Sequence, residues 1–178
     1  MPLTTGSFII GSHANFFRDG DSFTVPSSGT ASRSAKPGSA DTGWIDVGIV
    51  QDVGITHDMD EREVYAPTPG KLRLHDVIAT KDRLSLKLTL NEMSPLAFEL
   101  LFGTLALTSA STQYNPLEGL TKKGWLKVQQ YNQSDAAFNV LDVYCHLKVD
   151  GEVRFDDNIV NVSLMARVLH STLNTGTI

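Results

Sequence analysis

The chain has 178 residues, enough for one domain with a hydrophobic core and too few for two comfortable ones. Apolar residues make up 41% and charged residues 20%, and the net charge of −5 argues against a nucleic-acid-binding surface, which would carry clustered Lys and Arg. No apolar run approaches the ~20 residues that cross a bilayer, and no basic region with an apolar stretch opens the chain, so we expect neither a membrane span nor a signal peptide.

Residues 13–42 form the first unusual segment, which is rich in Ser, Gly and Ala. A loop of this length is uncommon in a compact domain, and such loops are generally functional or disordered. Pure linkers rarely carry bulky side chains such as Phe16, Phe17 and Phe23, which need an apolar surface to pack on. Two interpretations stay open, a flexible insertion and an arm that orders against a neighbouring subunit, and the phenylalanines favour the arm.

Apolar residues on alternate positions predict antiparallel strands through most of the remaining chain. The first such pattern starts at Ile45 and continues through Val47, Ile49, Val53 and Ile55. A proline–glycine turn follows at residues 67–70. The further predicted strands cover residues 72–74, 84–90, 126–130, 141–149 and about 159–169. The polar pair at 81–82 is interpreted as a short turn.

One helix is predicted after Ser94, which is a good N-cap residue, and Pro95 suits the first helical position because its missing N–H has no partner there in any case. Apolar residues then recur at spacings of three and four, and Gly103 weakens the far half. With six to eight strands, this helix indicates a single domain, residues 1–178, of mainly β class: an antiparallel β-sandwich or partly open barrel with one packed α-helix.

No constellation of catalytic or metal-ligating residues is found. The five histidines are spread out, and no pair has the spacing of a helical metal site. The acidic run at 57–61 is interpreted as a solvated loop, because the spaced ligands and glycine of a calcium loop are missing. The single cysteine, Cys145, lies on the apolar side of a strand and is interpreted as a small buried hydrophobe. We therefore expect no enzyme activity, no catalytic residue, no cofactor and no metal.

Three segments follow one another in a telling order: GWIDVGIVQDVGI at 43–55, the turn YAPTPG at 65–70, and LNEMS at 90–94 leading into the apolar helix. This order resembles that of the tail tube (major tail) proteins of long-tailed, siphovirus-type bacteriophages, over roughly residues 43–170. The resemblance implies a structural virion protein that polymerises as stacked hexameric rings into the phage tail tube. That tube is the channel through which DNA passes into the host.

The resemblance also implies roles for individual residues. A long loop near the N-terminus typically reaches an adjacent ring in such tubes, so Phe16, Phe17 and Phe23 would be inter-ring anchors. The lumen is expected to be negative so that DNA slides through without binding, and Asp46 and Asp52, on the polar face of the first strand, would face it. The implied partners are further copies of this chain, a tape-measure protein, tail-tip and terminator proteins, and DNA transiently, with no membrane. The implied location is the virion tail, and the host cytoplasm during assembly.

Two alternatives stay open. The first is the tube subunit of a contractile injection system or a type VI secretion system, which shares the fold of the tail tube family. The second is a β-sandwich module that binds carbohydrate or protein, which predicts exposed aromatic residues on one face. Only Tyr131 and Tyr144 fall on polar strand faces, so support for this second alternative is thin.

Overall fold

The computed structural model describes residues 11–92, 94–102, 121–131, 137–152 and 162–177. No helix among these residues is long and apolar enough to cross a membrane. The start of the last predicted strand lies outside the described residues. In chain order the described elements are β1 (Gly11–Arg18), β2 (Ser22–Phe23), β3 (Gly29–Thr30), β4 (Ile45–Thr68), β5 (Lys71–Leu90), α1 (Pro95–Phe102), β6 (Thr121–Tyr131), β7 (Ala137–Val149), β8 (Val162–Val168) and β9 (Thr175–Thr177).

Six of the strands form a closed ring of antiparallel pairs. Their order is β6–β1–β4–β5–β8–β7, and β6 also pairs with β7, so the two ends of the series meet. Strand β9 lies beside residues 140–142 of β7, and β2 and β3 form a separate two-stranded sheet. The predicted mainly β fold with one helix is therefore confirmed.

The inside of the ring holds the main hydrophobic core, because every second residue of the ring strands points inward. Helix α1 adds the fully buried side chains of Leu96, Ala97 and Leu100. Its N-cap is Ser94, whose hydroxyl oxygen accepts a hydrogen bond from the N–H of Ala97 at 3.1 Å, as the sequence predicts. The other buried residues of this core are Ala14, Phe16, Val47, Val50, Leu86, Leu88, Leu90, Leu126, Val128, Val143, Cys145, Leu147, Val162, Leu164 and Ala166.

Cys145 is fully buried in this core, in agreement with its interpretation as a small hydrophobe. Burial in apolar surroundings raises the pKa of its thiol far above the usual range, because the charged thiolate loses its hydration. The thiol therefore stays protonated at neutral pH and is a poor nucleophile.

A second cluster lies on the outer face of β6 and β7, where residues 19–44 fold back over the ring. The indole N–H of Trp125 donates hydrogen bonds to the carbonyl oxygens of Ser32 at 2.9 Å and Ala35 at 3.2 Å. These bonds hold the segment against the sheet. The buried residues of this cluster are Phe17, Phe23, Ala31, Trp125 and Tyr144.

Asp41 organises the same segment from within. Its carboxylate accepts hydrogen bonds from the backbone N–H groups of Gly43, Thr24 and Val25 at 2.7–3.1 Å. These bonds lower the pKa of Asp41, because they favour the ionised carboxylate. One side chain thus ties both ends of the loop together.

The prediction of a loop over residues 13–42 needs correction. Residues 13–18 belong to β1, and the remainder packs on the ring as described. Phe16 and Phe17 are fully buried and Phe23 is 6% exposed, all within this chain. Their apolar surface is thus used inside the subunit, and a role as inter-ring anchors stays a prediction.

Two further predictions fail in the middle of the chain. The acidic run at 57–61 is not a loop, and the pair at 81–82 is not a turn, because β4 and β5 run through both without a break. The alternation that identifies a half-buried strand is missing here because both faces of this ribbon are exposed.

Candidate assembly surface

The outer half of the β4–β5 hairpin extends beyond the ring, and we call residues 51–84 the hairpin arm. Strand β1 pairs with β4 only as far as Val50, and β8 pairs with β5 only from Ser85 onward. Beyond those points the two strands pair only with each other in the described part of the chain. At about 3.3 Å per residue, the arm is roughly 55 Å long.

The turn at the tip of the arm is fixed by local sequence. Pro69 and Gly70 separate β4 from β5, and Thr68 pairs directly with Lys71. Gly70 has a φ of 80°, a conformation that glycine adopts without a steric penalty. The hydroxyl of Thr68 donates a hydrogen bond to the carbonyl oxygen of Lys71 at 2.8 Å. The predicted proline–glycine turn is therefore confirmed.

On one face of the arm, the side chains lie on the same side of β4 and β5 as those that point into the core of the ring, but here they are exposed to solvent. Ile55 lies two residues beyond Val53 on this face, and Tyr65 is paired with Leu74 farther out. None of residues 51–85 is buried. The exposed fractions along this face are 59% for Ile55, 49% for Met59, 51% for Tyr65, 67% for Leu72, 52% for Leu74 and 42% for Val77. The same face also carries Glu61, Glu63 and Asp82, and the hydroxyl of Tyr65 donates a hydrogen bond to Glu63. A group of large apolar side chains that are about half exposed and are edged by polar residues is typical of an interaction site.

The opposite face of the arm is charged. The guanidinium of Arg83 donates hydrogen bonds to the carboxylates of Asp58 and Asp60, each at 2.9 Å, and Lys81 lies 3.3 Å from Asp60. Exposed ion pairs of this kind contribute little to stability, about 0–1 kcal/mol each. These ion pairs stay in water, while most of the exposed large apolar side chains of the arm lie on the other face and are available to a partner.

Both edges of the arm are open. The outer backbone groups of β4 from Gln51 onward, and those of β5 before Ser85, have no strand beside them among the described residues. Unpaired strand edges attract further strands, and exposed edges of this length are rare in proteins that stay monomeric. At the root of the arm, where β8 ends beside β5, lies a groove of about 690 Å³, lined in part by His57, Leu84 and Arg167.

Asp46 and Asp52, the predicted lumen-facing residues, are exposed on the outer face of β4 near the root of the arm. Asp46 accepts a hydrogen bond from the N–H of Gly48 at 2.8 Å and lies 3.2 Å from His13. A position of these carboxylates in a channel stays a prediction. Among the described residues, no cluster of three or more His, Cys, Asp or Glu side chains is arranged to hold a metal ion.

The aromatic residues considered for a carbohydrate-binding face do not form one. Tyr144 is 4% exposed and packs edge-on against Trp125 beneath residues 19–44. The hydroxyl of Tyr131 donates to the side-chain oxygen of Gln129 at 3.1 Å. No observation on these two residues favours a sugar-binding platform.

Comparison with known proteins gives one informative result. No family model matches the chain, and no curated protein matches it. Among solved structures, it matches a chain in the cryo-EM structure of the anti-feeding prophage (AFP) baseplate, 6-fold symmetrised, with a TM-score of 0.51. The two chains share a fold. The match covers 94% of this chain and 95% of the baseplate chain at 13% sequence identity.

Proposed function

We propose that this protein is a structural subunit of a phage-tail-like particle and that it assembles into stacked six-fold rings through the hairpin arm. The observation that carries the proposal is the arm itself: within the described residues both of its strand edges are open, large apolar side chains are exposed on it, and none of residues 51–85 is buried in the core. The fold shared with a chain of a 6-fold symmetrised baseplate supports the same class of assembly.

Repetition of the arm around a ring explains its chemistry. When the edge of β4 on one copy pairs with the edge of β5 on the next, every open backbone group gains a partner and no edge remains. The exposed apolar side chains of the arm are then covered by the neighbouring subunits, and the ion pairs of Arg83 with Asp58 and Asp60 are left toward water. The result is a continuous inner wall of strands, which is what a channel for DNA or another cargo needs.

Two kinds of particle fit this proposal. One is the tail tube of a long-tailed phage, with a tape-measure protein and tail-tip proteins as partners. The other is the tube or baseplate of an injection system, which the likeness to the anti-feeding prophage baseplate favours at least equally. In both, the chain acts structurally and catalyses no reaction.

Negative-stain electron microscopy of the purified protein at rising concentration tests the proposal. We expect rings with a central hole, and stacks of rings at the highest concentrations. Tyr65→Asp places a charge on the apolar face of the arm and should abolish rings, because the carboxylate would be buried at the contact. Ala66→Asp is the matched control, since it adds the same charge on the opposite face one residue away.

The fold of each variant is checked by its circular dichroism spectrum and urea midpoint, which should match the wild type because the arm lies outside the core. Rings that form equally well with Tyr65→Asp and Ala66→Asp would remove the arm from the contact. A wild-type protein that stays monomeric at every concentration, including with its neighbouring tail proteins present, would contradict the proposal.

A further inference from the structure

Three cationic or titratable side chains lie directly opposite one another on the outer face of the ring. Lys123 of β6 pairs with His146 of β7, and His146 pairs with Arg167 of β8. Directly opposed residues of antiparallel strands share one face, and Lys148 follows two residues along β7 on that same face. We call Lys123, His146 and Arg167 the basic row.

Lys123 and Arg167 lie on either side of His146, so protonation of His146 would place like charges directly opposite one another across the strands, which is destabilising. None of the ion pairs among the described residues includes a member of the row. An arrangement that is locally unfavourable, and for which the described part of the chain supplies no ion-pair partner, is expected where a surface serves a function.

Several carboxylates lie near the row, and among the described residues none of them forms an ion pair with it. A cavity of about 380 Å³ beside Lys123 and His146 is lined also by Arg18, Lys122, Thr121 and the carboxylates of Asp19 and Asp21. Asp19 is hydrogen-bonded to the hydroxyl of Tyr144, and both Arg18 and Lys122 are paired with Glu99. Asp58 and Asp82 line the groove beside Arg167, but Asp58 is paired with Arg83 and Asp82 with His57. Because no ion pair within the described residues includes Lys123 or Arg167, these cations are open to carboxylates of another copy.

Carboxylates lie on the other side of the ring. In the strand order, β4 is three positions from β7 in both directions. Asp46 and Asp52 are exposed on its outer face, and the carboxylate of Glu92 is held beside them by the N–H of Ile49, at 2.9 Å. We call Asp46, Asp52 and Glu92 the acidic strip.

Both surfaces also offer an apolar centre. Ile49 is 59% exposed within the acidic strip. Met165 of β8 is half-buried on the face of the basic row and is paired with Lys148. Each surface therefore combines charge of one sign with an apolar side chain, as matching halves of a protein contact do.

We propose that the basic row of one copy docks on the acidic strip of the next copy in a head-to-tail contact. This rests on the proposed function and specifies which faces of neighbouring subunits meet. A contact between two different surfaces is heterologous. Repeating it generates a closed ring when the rotation from one subunit to the next adds up to a full turn. In this arrangement Asp46 and Asp52 face a neighbouring subunit instead of an open lumen.

Charge reversal on each surface separately gives a sharp test. The row-reversed variant carries Lys123→Glu and Arg167→Glu, so both of its surfaces are acidic. The strip-reversed variant carries Asp46→Lys and Asp52→Lys, so both of its surfaces are basic. Sedimentation velocity should show self-association of each variant weakened roughly tenfold or more relative to the wild type.

Mixing the two variants supplies the decisive measurement. When the two variants alternate in an assembly, every contact again joins an acidic surface to a basic one. We expect the equimolar mixture to associate as the wild type does, and a single chain with all four substitutions to do the same. Association should weaken between about 0.1 M and 1 M salt, where the Debye length falls from about 10 Å to about 3 Å. The row-reversed variant can bind the wild type through its acidic strip, but its reversed row cannot bind the acidic strip of another copy. A mixture of these two proteins should therefore give short assemblies that stop growing at the variant.

The outcomes separate this contact from the proposed function. Rings that form equally in the wild type and in both reversed variants overturn the contact and leave the proposed function standing. Complexes between the two reversed variants, in a protein that never forms rings, support the contact while the proposed function fails. A mixture that shows no complex overturns the contact in either case, provided that circular dichroism shows both variants folded.

Discussion

Trp125 on β6 donates its indole N–H to the carbonyl oxygen of Ser32, 93 residues away, at 2.9 Å. The bond joins the outer face of the ring to the Ser- and Gly-rich segment that covers it. The indole acts together with the buried Phe23 of the segment and with the ion pair of Lys36 and Asp142 at 2.8 Å, because most other side chains of the segment are small and polar.

Replacement of Trp125 by Phe should loosen this segment. The substitution keeps an aromatic ring in the second cluster but removes the donor for the carbonyl oxygens of Ser32 and Ala35 and leaves a small cavity. We expect a loss of about 2 kcal/mol in the free energy of unfolding in urea. Tryptic cleavage after Arg33 and Lys36 should also become faster. Tyr131→Phe, which removes a half-exposed hydroxyl, serves as the control; equal cleavage rates in both would refute the role of the indole.

Glu99 should be more important for stability than its position in an apolar helix suggests. Its carboxylate is 8% exposed and is paired with Arg18 and, at 3.0 Å, with Lys122. Glu99→Gln would leave two partly buried cations without their counter-charge and should cost about 2 kcal/mol. The comparison is Glu61→Gln on the exposed hairpin arm, for which the urea midpoint should stay unchanged. A midpoint for Glu99→Gln equal to that of the wild type would show that water replaces the carboxylate.

Gly124 of β6 lies against β1 with no room for a side chain. A Cβ atom at this position would lie 2.0 Å from the carbonyl oxygen of Phe17 and 2.8 Å from the ring of Phe16. Gly124→Ala should therefore force the strands apart and destabilise the protein by on the order of 3 kcal/mol. Gly11→Ala, at the start of β1, meets nothing within 4 Å and should change the stability by less than about 0.5 kcal/mol. Thermal unfolding of the two variants side by side measures the difference.

His146 should make the stability of the protein pH-dependent. Its pKa is lowered by burial and then by the neighbouring cations Lys123, Arg167 and Lys148. The unfolded chain, with an ordinary histidine pKa near 6.5, then binds a proton more readily than the folded protein. Stability from this site is therefore complete above about pH 6.5 and is lost as the pH falls through the lower pKa of the folded state.

Urea unfolding at a series of pH values, compared with His146→Gln, isolates this contribution. The difference between the two proteins should be constant above about pH 6.5 and should shift in favour of the variant as the pH falls, because glutamine does not take up a proton. Parallel curves over the whole range would show that the neighbouring cations do not act on the folded histidine.

The sequence predicts the ring better than it predicts the arm. Where a strand has one face in the core, as at residues 84–90, alternate leucines identify it, and Ser94 and Pro95 identify the start of the helix. The arm has no buried face within the subunit, so charged residues occur on both faces and alternation gives no signal. The placement of Phe16 and Phe17 is hidden for a related reason, since consecutive buried residues on opposite faces of β1 do not alternate.

The candidate site was only partly visible in the sequence. Asp46 and Asp52 are noticeable as carboxylates on a strand, but the basic row joins residues from three strands that are far apart in the chain. Only strand register brings Lys123, His146 and Arg167 together, and register follows from pairing in space rather than from local composition. The apolar residues at 72, 74, 77 and 78, close to a tight turn, are the signal from which the arm was predictable.

The hairpin arm also has a consequence for the order of events in assembly. A two-stranded ribbon without a third strand or a packed face is only marginally stable in water, so its amide hydrogens in the free subunit should exchange with solvent much faster than those of the ring. When the first two subunits meet, both of their arms must become ordered, and this step therefore carries the largest loss of chain entropy. Later subunits add to arms that are already ordered. Growth should accordingly show a lag that disappears when preformed rings are added as seeds.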